Sequence, residues 1–425
     1  MDELSTNKNK SNIVTTILWV IFFITLQLTS NLPGLTIPGL GFVYPFRIIL
    51  PIVFIYFLIT NKIRNNKYSQ TFRYTFVFLL ILLLYGIISL AWAQSANNGI
   101  KKLLNFLIGL TTIAVMVVAV KDKKLFYKII LINTIILFVF MFMGIYESFT
   151  GNYFFHPEWK DHFKPNIKYD FYYPIVGFPN PNDFVFVLFA FLPFVNMMSR
   201  NLFTGKKRII GLLISIIYFS LYILIAFLAS CRVGMVMVAI YLVVKLLLVR
   251  NIRIRKIVWA SAFFLILIVV LVKWDSIMSI IQSEQRFYVW RNALLNAEHY
   301  YFMGTGPGNA HLPIEGIIYE GMLTAPHFWF LEILVEFGLP VFIPLLVWYG
   351  LLFKRGIRNY DIVTNTEDIF IKKSALEFLL CFIPMSIMSA SISDMPQFWL
   401  ILSFVIIAID MNKEIDCSEK NCSCE

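Results

Sequence analysis

The chain has 425 residues, 59% of them hydrophobic, 17% aromatic and only 14% charged, with a net charge of +11. A soluble domain carries about 25% charged residues, so this composition excludes a water-soluble globular protein; the mean hydropathy of +0.75 agrees. The excess of Lys and Arg falls in short clusters between apolar runs, without a basic stripe interleaved with stacking aromatics, which excludes a nucleic-acid-binding surface.

Apolar runs of roughly 16 to 25 residues recur along the chain, the length a helix needs to cross a ~30 Å hydrocarbon core. After a polar tail at residues 1–12, spans are expected to begin near Ile13, Tyr44, Arg73, Leu103 and Leu125. A long connector follows from Glu147 to Asn182, then spans from Asp183, Ile209, Gly234 and Ile257. A second long connector runs from Lys273 to His327, and the last spans begin near Phe328, Ala375 and Phe398. The expected architecture is all-α, polytopic, with about twelve transmembrane helices. It forms a single transmembrane domain over 13–410 and ends in a tail at 411–425. The first run, Ile13 to Thr29, lacks a small-residue cleavage site and reads as a retained helix.

The basic clusters set the orientation. Lys62, Arg64, Lys67 and Arg73, then Lys121, Lys123 and Lys124, then Arg200 and Lys206–Arg208 occupy alternate connectors. Arg250, Arg253, Arg255 and Lys256, and Lys354, Arg355, Arg358, Lys372 and Lys373 continue the pattern. By the positive-inside rule both termini are expected in the cytoplasm and both long loops outside. The first outer loop is aromatic-rich. Its Tyr153, Phe154, Phe155, Trp159, Phe163, Tyr169, Phe171, Tyr172 and Tyr173 suit the membrane interface or a sugar-stacking platform.

Within this frame a few residues carry chemistry. Arg232 is the lone charge in a short outer turn, Ser230-Cys231-Arg232, and a guanidinium can clamp two phosphate oxygens. Arg286 and Arg291 lie in the second long loop; if that stretch is helical they point about 140° apart. Gly304-Thr-Gly306-Pro-Gly308 permits a tight turn and close backbone approach to an anion. His327 stands at the outer mouth of the tenth span and suits a general base; the alternative is an interface histidine. Glu332 and Glu336 follow it at i, i+4 spacing, at a depth where carboxylates are costly; they can orient the histidine, pair with an arginine or carry a proton. The histidines His156, His162, His299, His311 and His327 lack ligand spacing, so no metal is expected. Cys231 and Cys381 show no disulfide framework, and Cys417, Cys422 and Cys424 lie in a tail expected in the reducing cytosol.

These pieces together resemble the O-antigen ligase and O-antigen polymerase family, including teichuronic acid polymerases. The matching segments are Glu147-Ser-Phe-Thr-Gly151, Asn180-Pro-Asn182, Ser230-Cys231-Arg232 and Arg286-x3-Trp290. Further along come Gly304-x-Gly306-Pro-Gly308 and Pro326-His327 followed by Glu336-Phe-Gly338. The resemblance implies a bacterial cytoplasmic-membrane glycosyltransferase with no cofactor or metal and an outward-facing site. Its donor would be an undecaprenyl-diphosphate-linked glycan, its acceptor a glycan hydroxyl, and its neighbours the bilayer and other polysaccharide-export proteins. On the same basis His327 would activate the acceptor, and Arg232 and Arg286 would bind the donor's pyrophosphate. The residues themselves add Glu336 as a catalytic candidate and Arg291, Gly304 and Gly306 as substrate-binding candidates. Phe328 and Val341 depart from the ligase pattern and favour the polymerase branch. The competing readings are a ligase that moves finished glycan to a different acceptor, and a flippase or secondary transporter using Glu332 and Glu336 for proton coupling.

Overall fold

The structure is a computed structural model that describes residues 18–28, 35–37, 41–59, 69–120, 122–155, 171–251, 253–257, 259–261, 285–321, 324–389 and 392–411. The chain begins with helix α1, Leu18–Leu28. A two-stranded antiparallel ribbon follows, β1 Leu35–Ile37 and β2 Gly41–Val43, with Leu35 opposite Val43. Next come α2 Pro45–Ile59, α3 Gln70–Ser89, α4 Ala96–Ala119 and α5 Lys123–Thr150. They are followed by α6 Pro181–Leu202, α7 Arg208–Leu228 and α8 Arg232–Leu247. The last described helices are α9 Gln285–His299, α10 Trp329–Ile362, α11 Thr366–Met385 and α12 Pro396–Asp410.

Among the described residues the fold is helical apart from the small ribbon, which hydropathy did not signal. Among the described residues six helices, α3 to α7 and α10, are long and apolar enough to cross a membrane. The helices Leu18–Leu28, Pro45–Phe57 and Pro396–Asp410 are apolar but shorter. Several boundaries differ from expectation, α4 beginning at Ala96 and α11 at Thr366, well ahead of the expected starts near Leu103 and Ala375. Helix α5 runs on through Glu147 to Thr150 and stops at Gly151, which takes the left-handed conformation (φ 68°) that ends helices cheaply only in glycine. The second outer connector holds a helix, α9, too polar for hydropathy to reveal. Trp159, Phe163 and Tyr169 of the aromatic loop, most of the span expected from Ile257, both tails and the tail cysteines lie outside the described residues.

Local chemistry explains several starts. The Asn180 side chain accepts from Asn182 N (2.8 Å), Pro181 pre-sets the first turn and Asp183 adds an acid where the helix dipole favours one. Asp122 caps α5 through Leu125 N at 2.7 Å. Burial then sorts the helices. The apolar window of α6 is 89% buried, matching its almost uninterrupted Phe-Val-Leu sequence, whereas that of α7 is 28% buried. α6 packs on α5, α7 and α11, and α12 packs on α4 and α11, so these two form the centre of the bundle. On α7, Ile209, Leu212, Leu213 and Ile216 face outward, as suits a lipid-contacting surface.

Basic residues from the connectors are tied to acids on neighbouring helix ends. Arg255 makes two bonds to Asp361 (2.7 and 2.9 Å), Lys123 reaches Asp368 (2.6 Å) and Arg355 reaches Asp410 (2.6 Å). The residues read as orientation signals therefore also stitch the helix ends together.

Helix α10 is broken at Gly338, whose φ of 66° and ψ of −172° lie in a region essentially reserved for glycine. The break frees backbone groups, and the loop after α9 satisfies them. Thr305 N donates to Val335 O (2.8 Å), Gly306 N to Glu336 O (3.0 Å), and Leu339 N to Phe302 O (2.8 Å). A Cβ on Gly338 would sit 2.2 Å from Phe302 O, and one on Gly304 2.5 Å from Glu336 O. Gly338→Ala is therefore expected to lower the melting temperature of the purified protein by several degrees, since the backbone strain alone costs on the order of 1–3 kcal/mol. Gly350→Ala, where an added Cβ meets open space within the same helix, serves as the control and should leave stability unchanged or raised.

Candidate active site

The site is assembled around the C-terminal end of α11. From α9, Arg286 Nη1 donates to Ile387 O just past that end (2.9 Å). From α6, Asp183 accepts a 2.6 Å bond from Ser389 Oγ. The turn between α7 and α8 closes the third side. Ser230 there has a positive φ of 50°, and Cys231 is buried and caps α8 by accepting from Gly234 N at 3.3 Å. Both Arg286 and Asp183 act electrostatically on the Cys231 thiol, which places the turn beside them. Arg232, the first residue of α8, is exposed.

His327 lies two residues before α10 in a left-handed conformation, φ 49°, which costs a non-glycine residue on the order of 1–3 kcal/mol and clusters at functional sites. Trp290 of α9 holds this segment: its Nε1 donates to Pro326 O (2.8 Å) and its ring lies 5.9 Å from that of Phe328. The imidazole is half-buried. Burial, and then the positive charge of Arg286, hold it below the ordinary histidine pKa, because both disfavour the imidazolium. Arg286 and His327 thus share one local environment.

Arg291 points elsewhere. It pairs with Glu320 at 2.6 Å, both side chains about half exposed, while Arg286 on the other side of α9 reaches inward. Between them, buried Asn292 and Asn296 anchor the following loop through Glu320 O (2.8 Å) and Ala310 O (3.2 Å). The amides of Thr305 and Gly306 are bonded to α10 carbonyls, and Gly304 O accepts from Trp92 Nε1 (2.8 Å), so this glycine loop is wedged against α10 and the residues that follow α3.

The two glutamates of α10 face a cation that the sequence reading passed over. Buried Lys102 of α4 binds Glu332 Oε1 at 2.6 Å and Asp394 Oδ2 at 3.3 Å. Asn105 extends the chain, donating to Asp394 Oδ1 (2.8 Å) and accepting from Arg47 Nη2 (3.0 Å). Glu336 is buried next to Lys102, and its Oε2 has no hydrogen-bond partner among the described residues. Neither glutamate is among the charges acting on His327, so of the three roles open to them Glu332 takes pairing, with a lysine in place of an arginine. A signal for Lys102 was present. Lys101 and Lys102 stand at a helix end expected on the outer side, against the charge bias, as Arg232 does. Glu147 is also buried and structural: it accepts from Ile175 N (3.0 Å) and Val176 N (2.8 Å) and so fixes the chain returning to α6.

Comparison with known proteins bears on this arrangement. Residues 217–346 match the family described as O-Antigen ligase, a segment that holds Arg232, Arg286, the glycine loop, His327 and both α10 glutamates. The chain is also 26% identical to the teichuronic acid biosynthesis protein TuaE of Bacillus subtilis over 79% of its own length and 71% of that protein's. The resemblance carried by the short motifs is thus matched at two scales: residues 217–346 are similar to the O-Antigen ligase family, and most of the chain is similar to a protein of teichuronic acid biosynthesis.

Proposed function

We propose that this chain is a polymerase of cell-surface polysaccharide that joins glycan units carried on undecaprenyl diphosphate. The observation that carries the reading is that Arg286, fixed to Ile387 O at one end of the helical bundle, lies close enough to the half-buried His327 to disfavour its charged form. A base that stays neutral near pH 7 and a fixed cation beside it are what glycosyl transfer from a lipid diphosphate requires.

In this reading the acceptor hydroxyl attacks the anomeric carbon and gives its proton to the His327 imidazole. The anomeric C–O bond to the diphosphate breaks, and the electron pair leaves on the lipid diphosphate. Arg286 and Arg232 neutralise the charge that develops there, and the stereochemistry inverts. Arg291 sits further out, where it can meet the glycan part of the donor, and Gly304 and Gly306 set the shape of the loop that backs the site. Glu336 lies with Lys102 and Glu332 in the buried network that fixes α10, the helix that follows His327, and so supports the site from that helix. The site faces outward from the bacterial cytoplasmic membrane, with both termini inside, as the distribution of Lys and Arg indicates. The donor brings its own leaving group, so no nucleotide is needed on that side of the membrane.

The test is a reaction of the purified protein with undecaprenyl-diphosphate-linked oligosaccharide, resolved on a gel. A ladder of products is expected. A single transfer to an unrelated acceptor would make the protein a ligase, and passage of intact lipid-linked glycan across a liposome bilayer would make it a transporter.

A further inference from the structure

The far end of α6 holds a second feature unrelated to the chemistry above. Arg200 lies about 25 Å along the helix axis from Asp183, at 1.5 Å per residue. There a cavity of about 720 Å³ opens between α6, α7 and α8, with Arg200, Arg208 and Lys245 on its lining. A narrower cleft continues from it past Arg200 and Lys245 to Lys373 and Glu377.

Among the described residues that line the cavity and the cleft, the charges do not balance. Arg200, Lys245 and Lys373 act on one another as like charges and have Glu377 as their shared counter-charge. Glu377 is buried and held in place by Tyr241 OH (2.9 Å), which in turn accepts from Asn196 Nδ2 (2.8 Å). The cations are steered by aromatic faces: Lys245 Nζ is 4.7 Å from the Tyr241 ring centre and Arg200 Cζ 5.0 Å from that of Phe370. Three cations around one carboxylate, with Arg208 at the rim, repel each other most where water is scarce, so an anion entering the cavity is stabilised. The opposite wall is apolar. Leu212 and Ile216 of α7 line the cavity and are 58% and 51% exposed, on the spanning helix that is least covered by its neighbours. An occupant must therefore offer an anionic head and a hydrocarbon tail together.

We infer that this cavity binds an anionic phospholipid of the surrounding membrane, its phosphate among Arg200, Arg208 and Lys245 and its acyl chain along Leu212 and Ile216. The distribution of basic residues assigns this end of the bundle to the cytoplasmic leaflet, where anionic headgroups meet basic pockets between helices. The inference is independent of the reaction proposed above.

The test is thermal unfolding of the full chain in detergent, titrated with phosphatidylglycerol, phosphatidylcholine, undecaprenyl phosphate or inorganic phosphate. Phosphatidylglycerol alone is expected to raise the melting temperature in a saturable way. Lys245→Gln and Arg208→Gln should each shift half-saturation to about fivefold more lipid, the effect of one basic charge. Arg208 is exposed, so its variant keeps the fold. Glu377→Gln, which keeps the Tyr241 bond and removes the competing negative charge, should shift half-saturation to less lipid. The inference is overturned by equal stabilisation with phosphatidylcholine, by the same half-saturation in all variants, or by stronger action of undecaprenyl phosphate or inorganic phosphate.

Discussion

His327→Ala is expected to reduce chain elongation by about 10²- to 10⁴-fold, the usual worth of a positioned general base, while the melting temperature stays close to that of the parent. The residue is half-buried and lies in the segment before α10, outside the helices. The pH profile distinguishes a base from a residue that only shapes the loop. A base works in its neutral form. Burial and Arg286 both disfavour the charged form, so the acid limb should lie below the ordinary histidine value of 6.5. Elongation at donor well below saturation, which reports the free enzyme, should hold level as pH falls through 6.5 and decline only beneath it. Arg286→Gln removes one of the two causes, so the limb should move to higher pH, and the proposed contact with the diphosphate predicts a lower maximal rate as well. A limb that stays where it was, or moves to lower pH, would dissociate His327 from proton transfer.

Lys102→Met is expected to give the largest loss of stability, about 3–5 kcal/mol, because removing one partner of a buried pair strands the other's charge. The variant leaves Glu332 and Glu336 facing each other without their cation, in a site where both are at most 3% exposed. Asp394, with 36% of its side chain exposed, is screened by solvent and should contribute less. Adding Glu332→Leu to Lys102→Met should recover part of the loss by removing a stranded charge. Thermal unfolding of the solubilised protein reads both effects. Equal melting temperatures for parent and Lys102→Met would show that the network carries no structural weight. Because α10 bears both these glutamates and the segment leading from His327, elongation by the double variant should stay impaired even where stability returns.

The placements of Arg286 and Arg291 show how far local spacing reaches. Their separation of five residues predicts different faces of a helix, and the structure bears this out: one reaches Ile387 O and the other Glu320. Spacing alone does not say which face turns inward, since that depends on α11, about a hundred residues later. The same limit applies to the glycine loop. Alternate glycines signalled a tight turn and a close backbone approach, and the turn lies against the broken part of α10, with Gly304 and Gly338 making room for each other's backbones.

By itself, the sequence determined that the protein is a membrane-embedded helical bundle, where its apolar helices lie, and which family its short motifs resemble. Hydropathy and capping are local: each residue's preference for lipid or water, or for a helix end, is set by its own chemistry and a few neighbours. Only the tertiary structure decided that α10 breaks at Gly338, that Lys102 answers Glu332 across 230 positions, and that Arg286 comes to rest near His327. Those are pairings between distant segments, and a buried charge finds its partner through the packing of whole helices, which no short stretch of sequence records.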